Sequence, residues 1–205
     1  MSLVSESEAA EIEKAIARIE GKTSSELVVA VIEQSHDYAG PRALFAFGWT
    51  LAATLALHYF VEQLSSWWLI PLEVPIGLAL YALLGLPALR RLTVPRAFAE
   101  EAVQARAFSV FAERGLHRTR DRTGLLILLS ELEHRVVILG DTGIHELVGD
   151  SGWQEHVARI VERVREGKAA QGILECLDAL EPLLAQKAPR REDDENELED
   201  RVIRG

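Results

Sequence analysis

The sequence predicts an α/β domain, a small mixed sheet covered by helices, into which a two-helix transmembrane hairpin is inserted. Three observations carry that reading. Residues 43–61 (ALFAFGWTLAATLALHYFV) hold no Asp, Glu, Lys or Arg, over a length that matches a roughly 30 Å hydrocarbon core at about 1.5 Å rise per residue. Residues 67–87 (WWLIPLEVPIGLALYALLGLP) repeat the pattern with a single charge, Glu73, a few residues inside their start. An acid at the centre of a span costs about 2.5–3.5 kcal/mol, so Glu73 is tolerable because it lies near the interface. Outside these stretches, apolar stripes at helical spacing alternate with short β-branched runs, as helices packed on a sheet require.

The predicted organisation is one α/β domain from 1–42 and 90–188, the hairpin at 43–89, and a charged tail at 189–205. Two helices buried in a soluble bundle are the alternative, but they do not explain why Tyr59, Trp67 and Trp68 cluster where a headgroup belt would sit. Arg42 precedes the first span and Arg90, Arg91 and Arg96 follow the second, whereas the connecting Glu62–Ser66 has no basic residue. The positive-inside rule then places the chain in the inner (cytoplasmic) membrane with two spans and both termini in the cytoplasm. Residues 1–20 are acidic and lack an apolar h-region, so no export signal is expected there. The formal net charge of -10 argues against nucleic acid or anionic lipid as a main partner. Cys176 stands alone, which excludes an internal disulfide and suits a reducing compartment.

In chain order, Ser5-Glu6-Ser7-Glu8 opens a first helix with a capping-box pattern, Ala9, Ile12, Ile16 and Ile19 give it one apolar face, and Gly21 ends it. Residues 26–33 (ELVVAVIE) read as a strand buried on both faces. After the spans, Pro95 opens a helix whose expected apolar face is Phe98, Ala102, Ala105, Phe108 and Phe111, with Gly115 as its stop. A basic loop, Leu116 to Arg122, leads to two short strands, 125–129 and 136–139, which most simply pair antiparallel. Gly140-Asp141-Thr142-Gly143 breaks the pattern, a turn of helix covers 144–148, and Asp150-Ser151-Gly152 precedes a helix from Trp153 to Arg165. Gly167 separates it from a last helix on Ile173, Leu177, Leu180 and Leu184, in which Pro182 is expected to form a kink or an early end. The tail (PRREDDENELEDRVIRG) has too few apolar residues for a core and is expected to be disordered or laid on the surface.

Residues 115–144 (GLHRTRDRTGLLILLSELEHRVVILGDTGI) resemble the TPM domain family, also called the TPM phosphatase domain. Residues 23–31 (TSSELVVAV) look like its first strand, Trp153 stands where the family often opens the next helix with tryptophan, and Asn196-Glu197-Leu198 looks like the tail of its membrane-inserted bacterial branch. The resemblance implies an α/β sandwich and a role in the assembly, repair or quality control of membrane protein complexes. In some members it also implies calcium binding with weak acid phosphatase activity. Arg122-Thr123-Gly124 departs from the pattern, because exported members commonly carry an acidic residue there.

Asp141 is the leading chemical candidate, at the carboxyl end of a strand and flanked by Gly140 and Gly143, where a ligand can approach the backbone. With Glu146 and Asp150 it could offer oxygens to calcium, which takes about six to eight. The plainer use is an Asx-turn by Asp141 and a helix cap by Asp150. His117, Arg118, Arg120 and Arg122, with Arg114, form a basic patch that could hold a phosphate or a lipid headgroup, or could simply pair with nearby carboxylates. Glu26 and Asp121 would approach Asp141 if the first strand lay beside the strand hairpin. His58 lies near the outer end of the first span and Cys176 reads as a small core residue. These residues predict a membrane-anchored binding or assembly factor whose partners are other membrane proteins and the bilayer, with no nucleic acid. A calcium-dependent weak acid phosphatase is the second reading.

Overall fold

Seven consecutive residues, Glu26–Ile32, form β1 and all are buried, as an apolar run covered on both faces should be. The computed structural model describes residues 3–60, 66–119, 121–190 and 202–204. Strand β2, Gly124–Ser130, is buried along its whole length and runs parallel to β1 with Glu26 opposite Gly124. Strand β3, Arg135–Gly140, folds back antiparallel on β2, the hairpin the sequence predicts. The two-residue β4, Ile203–Arg204, lies parallel on the free side of β1, so the order is β3-β2-β1-β4 and the sheet is mixed. Part of the charged tail therefore pairs with the sheet. Residues 191–200, which include Asn196-Glu197-Leu198, lie outside the described residues, as do 61–65 and Arg120.

Helices cover both faces. The first, α1 (Glu6–Glu20), starts with the expected box: the Glu8 amide donates to Ser5 Oγ at 3.3 Å and the Ser5 amide to the Glu8 carboxylate at 2.8 Å. Its Ile12, Ile16 and Ile19 join residues of α6 (Thr142–Arg165) and α7 (Ala169–Lys187), among them Ile160, Ile173 and Leu177, against Leu27, Val29, Val31, Leu125, Ile127 and Leu129. The opposite face, Val28, Ala30, Ile32, Leu126 and Leu128, packs on Val103, Ala107 and Val110 of α5 (Arg96–Glu113) and on Leu116. Alternation along each strand decides which residue meets which layer.

Three expectations need correction. The buried face of α5 is Ala102, Val103, Ala107 and Val110, while Phe108 is 61% exposed and Ala105 is exposed. Small residues let the helix lie close to the sheet, which leaves the bulky Phe108 outside the contact. Residues 142–165 form one helix, where a glycine-rich loop, a short turn and a second helix were expected. Burying Ile144, Trp153, Ile160 and Val164 on one side outweighs about 1 kcal/mol of propensity lost per interior glycine. Finally, of the kink or early end expected at Pro182 the early end does not occur, since α7 continues five residues beyond it.

The chain divides into two compact units, Met1–Ser35 with Glu100–Gly205, and His36–Ala99. The second holds α2 (Ala39–Phe60) and α3 (Ser66–Leu84), followed by α4 (Pro87–Arg90) and a 3-10 turn, Arg91–Thr93. Phe47 packs where a Cβ on Gly77 would come within 2.5 Å of its ring, and Arg42 bonds Tyr81; later residues of α2 meet earlier ones of α3, so the pair is antiparallel. Helix α2 has 22 residues and holds an 18-residue apolar window of which 11% is buried, long and apolar enough to cross a membrane. Among the described residues it is the one helix that meets that test; the apolar part of α3 counted with it is Pro71–Leu84. Helix α3 also contains Pro71 and Pro75, each of which removes a backbone donor.

Candidate functional site

Polar residues collect at the end of the sheet where β1 and β2 begin and β3 finishes. Glu26 stands opposite Gly124, and on the other side of Gly124 the Asp141 amide donates to its carbonyl at 2.9 Å. Glu26 and Asp141 thus flank a residue without a side chain, both buried, with backbones about 10 Å apart at the usual strand spacing. The adjacency of β1 and β2 creates this row. Because that end is the carboxyl end of β3 but the amino end of β1 and β2, the rule for parallel sheets does not extend to it. Gly124 is required there, since a Cβ would lie 2.2 Å from the Leu116 carbonyl oxygen.

The basic loop is folded over the same end. Leu116–Arg118 form a 3-10 turn entered through Gly115 at φ 72°. The Thr123 amide donates to Thr119 Oγ1 at 3.0 Å and the Thr123 hydroxyl to the Ser24 carbonyl at 2.7 Å, tying the loop to the approach of β1. Arg122 has φ 57°, a left-handed conformation uncommon for a residue with a side chain. The Gly143 amide donates to its carbonyl at 3.0 Å, and a Cβ on Gly143 would come within 2.7 Å of the Asp121 and Arg122 carbonyl oxygens. That close approach brings the loop onto the first turn of α6.

Asp141 caps α6: its Oδ1 accepts from the Thr142 amide at 2.7 Å. Its Oδ2 is buried, makes no hydrogen bond, and lies 3.6 Å from Arg122 Nη1. The Arg122 side chain is largely exposed, so the contact is a screened ion pair that solvent can open. Glu146 is exposed on the same helix, about 140° around its axis from Asp141 at about 100° per residue. Asp150 lies within α6, and its side chain is outside the described residues. A continuous helix separates Asp141 and Glu146, where a loop would be needed to curl them together, and among the described residues no three His, Cys, Asp or Glu side chains gather as a metal-binding group. Asp141 and Glu146, as placed, point to different sides of the helix start.

Of the predicted basic residues, the structure brings Arg122 to Asp141, sets Arg118 Nε 3.3 Å from His117 Nε2, and leaves Arg118 exposed; Arg120 is outside the described residues. Cys176 is buried, and burial pushes its thiol up to about 12, so it is no thiolate near neutral pH. Sequence reading passed over His156 and Glu20. His156 is 8% exposed with Nδ1 unbonded, 6.4 Å ring to ring from Trp153, whose indole nitrogen is also buried and unbonded. Burial, and then the nearby Arg159, hold its pKa below the ordinary value. Glu20 accepts from the Leu27 amide at 2.8 Å and so ties α1 to β1. The signal for His156 was its i+3 spacing from Trp153 on the buried stripe of α6.

This arrangement, a β-hairpin feeding a capped helix with a basic loop folded back on it, has a counterpart among known families. Residues 88–183 match the TPM domain. The match begins in α4 and ends within α7, taking in the basic loop, β2, β3 and Asp141, and it leaves out α1, β1, α2 and α3. The TPM-matched segment therefore supplies two of the three long strands. Among solved structures, the NMR structure of BA42 protein from the psychrophilic bacteria Bizionia argentinensis sp. nov. is similar, with a TM-score of 0.61 and 20% identity over 98% of this chain and 95% of that one. At that identity the likeness concerns the fold alone. No curated protein matches the chain.

Proposed function

We propose that this chain is a membrane-anchored TPM-domain protein, a non-catalytic factor that binds or helps to assemble other membrane proteins. One observation carries the proposal: α2 holds an 18-residue apolar window of which only 11% is buried within the protein. A core helix of a soluble protein is mostly buried. Nine large apolar side chains of α2 are instead exposed, from Leu44 to Phe60, and each would forgo about 1.5–3 kcal/mol in water, against a net stability of about 5–15 kcal/mol for a whole domain. Lipid removes that cost. With α3 as the return span, Arg42, Arg90, Arg91 and Arg96 all fall at one end, which the positive-inside rule places in the cytoplasm with both termini. The TPM match supports the assembly role through the family's implied association with membrane protein complexes.

The second reading, a calcium-dependent weak acid phosphatase, is favoured by one feature, the buried Asp141 Oδ2 that faces a movable Arg122. Photo-crosslinking from exposed surface positions of the full chain in its native membrane separates the two. The binding reading expects discrete crosslinks to integral membrane proteins, and no calcium-dependent release of phosphate from a phosphomonoester by the purified chain. Calcium-stimulated release that Asp141→Asn abolishes, with no crosslinked partner, would establish the enzyme instead.

A further inference from the structure

We propose that the Arg42 end of the α2–α3 pair is a binding site for an anionic phospholipid headgroup, with Arg42 and Arg91 gripping its phosphate. The inference rests on the membrane reading above and goes beyond it, from insertion to recognition of one lipid class. Arg42 sits in the first turn of α2 and is held by α3. Its Nη2 donates to the Tyr81 hydroxyl at 2.5 Å, and its guanidinium carbon lies 4.0 Å from the centroid of the Tyr81 ring. A Cβ on Gly85 would come within 2.8 Å of Arg42 Nη1, so glycine makes the room for this placement.

The clamp occupies one donor and one face of the guanidinium. Arg42 Nε is buried and has no acceptor, and no carboxylate of the described residues bonds the side chain. A guanidinium keeps its proton and offers five N–H groups in a fork that matches a phosphate. Held in place with spare donors and no internal anion, it is set for an external one.

The surroundings fit the same ligand. From Val74 to Ala99 the chain carries Arg90, Arg91 and Arg96 and no acidic residue, although its net charge is -10. The 3-10 turn bearing Arg91 packs against α2, so this second cation is returned to the helix pair. Leu86 and Leu92, beside the arginines in sequence, are 51% and 66% exposed. Exposed leucines interleaved with arginines at the end of an apolar helix suit the headgroup level of a bilayer. The acidity of the whole chain argues against an anionic surface only at long range. Salt screens such fields beyond about 8–10 Å, whereas these arginines would be held at the interface by the spans themselves.

The test reconstitutes the full chain into bilayers of phosphatidylcholine and of phosphatidylcholine mixed with phosphatidylglycerol, extracts it in mild detergent, and measures the retained lipids by native mass spectrometry. The native chain should retain phosphatidylglycerol in preference to phosphatidylcholine. Arg91→Gln and Arg42→Gln should each cut that preference by about fivefold, the effect of one interfacial arginine, with Arg42→Lys intermediate because it keeps charge but loses the fork. Excess inorganic phosphate should not displace the lipid. Arg91 is exposed and outside the Tyr81 clamp, so Arg91→Gln decides if Arg42→Gln fails to fold. Insertion without a headgroup preference, a preference that survives Arg91→Gln, or displacement by inorganic phosphate overturns the site alone. Failure to insert into either bilayer overturns the membrane reading and the site with it.

Discussion

Asp141 serves two contacts with two oxygens, and substitution separates them. Asp141→Ala removes the cap of α6 and should cost about 1 kcal/mol in chemical denaturation, whereas Asp141→Asn keeps a good capping side chain and should stay within a few tenths of the native value. A large loss in Asp141→Asn would show that the Arg122 ion pair, not the cap, holds the basic loop. His156 makes a separate prediction with a definite sign. Its folded pKa lies below the ordinary 6.5 because burial, and then Arg159, disfavour the charged form, with Glu155 opposing. The unfolded chain therefore binds the proton first, so this group leaves stability unaffected above about pH 6.5 and lowers it as pH falls toward the folded pKa. Unfolding free energies of the native chain and of His156→Gln, measured from pH 7.5 to 5, should converge as pH falls. A constant difference would contradict a buried neutral imidazole.

At the scale of elements, what was legible depended on whether local chemistry and burial pointed the same way. The Ser5 box, the apolar run 27–32 of β1 and the β2–β3 hairpin were readable because cap, pattern and turn agreed. The buried face of α5 was not, because both its faces carry apolar residues and only the closeness of helix to sheet selects Val103, Ala107 and Val110. That difference is measurable. Ala107→Leu should overpack the contact and cost about 1–3 kcal/mol, while Phe108→Ser, at a side chain 61% exposed, should change stability by less than about 0.5 kcal/mol. The reverse order would restore the phenylalanine face. Continuity of α6 was likewise hidden, since Gly143, Gly149 and Gly152 speak locally for loops and only burial of Ile144, Trp153 and Ile160 overrides them. The row of Glu26, Gly124 and Asp141 depends on which strands are neighbours, and no short stretch of sequence encodes that.

At the scale of the molecule, the α/β unit is assembled from residues on both sides of an apolar helix pair, and the proposed membrane anchoring rests on how exposed and how apolar α2 is. The most direct test is topological. Single cysteines are placed by Ser7→Cys in α1, Gln63→Cys between the spans and Gln171→Cys in α7, and labelled with a membrane-impermeant maleimide in sealed right-side-out and inside-out vesicles. Cys176 contributes little background, being buried with its thiol pushed up to about 12. The account predicts a chain that stays with the membrane through alkaline carbonate washing, with positions 7 and 171 labelled only in inside-out vesicles and position 63 only in right-side-out ones. A chain released into the wash, or position 63 labelled from the same side as 7 and 171, would contradict it.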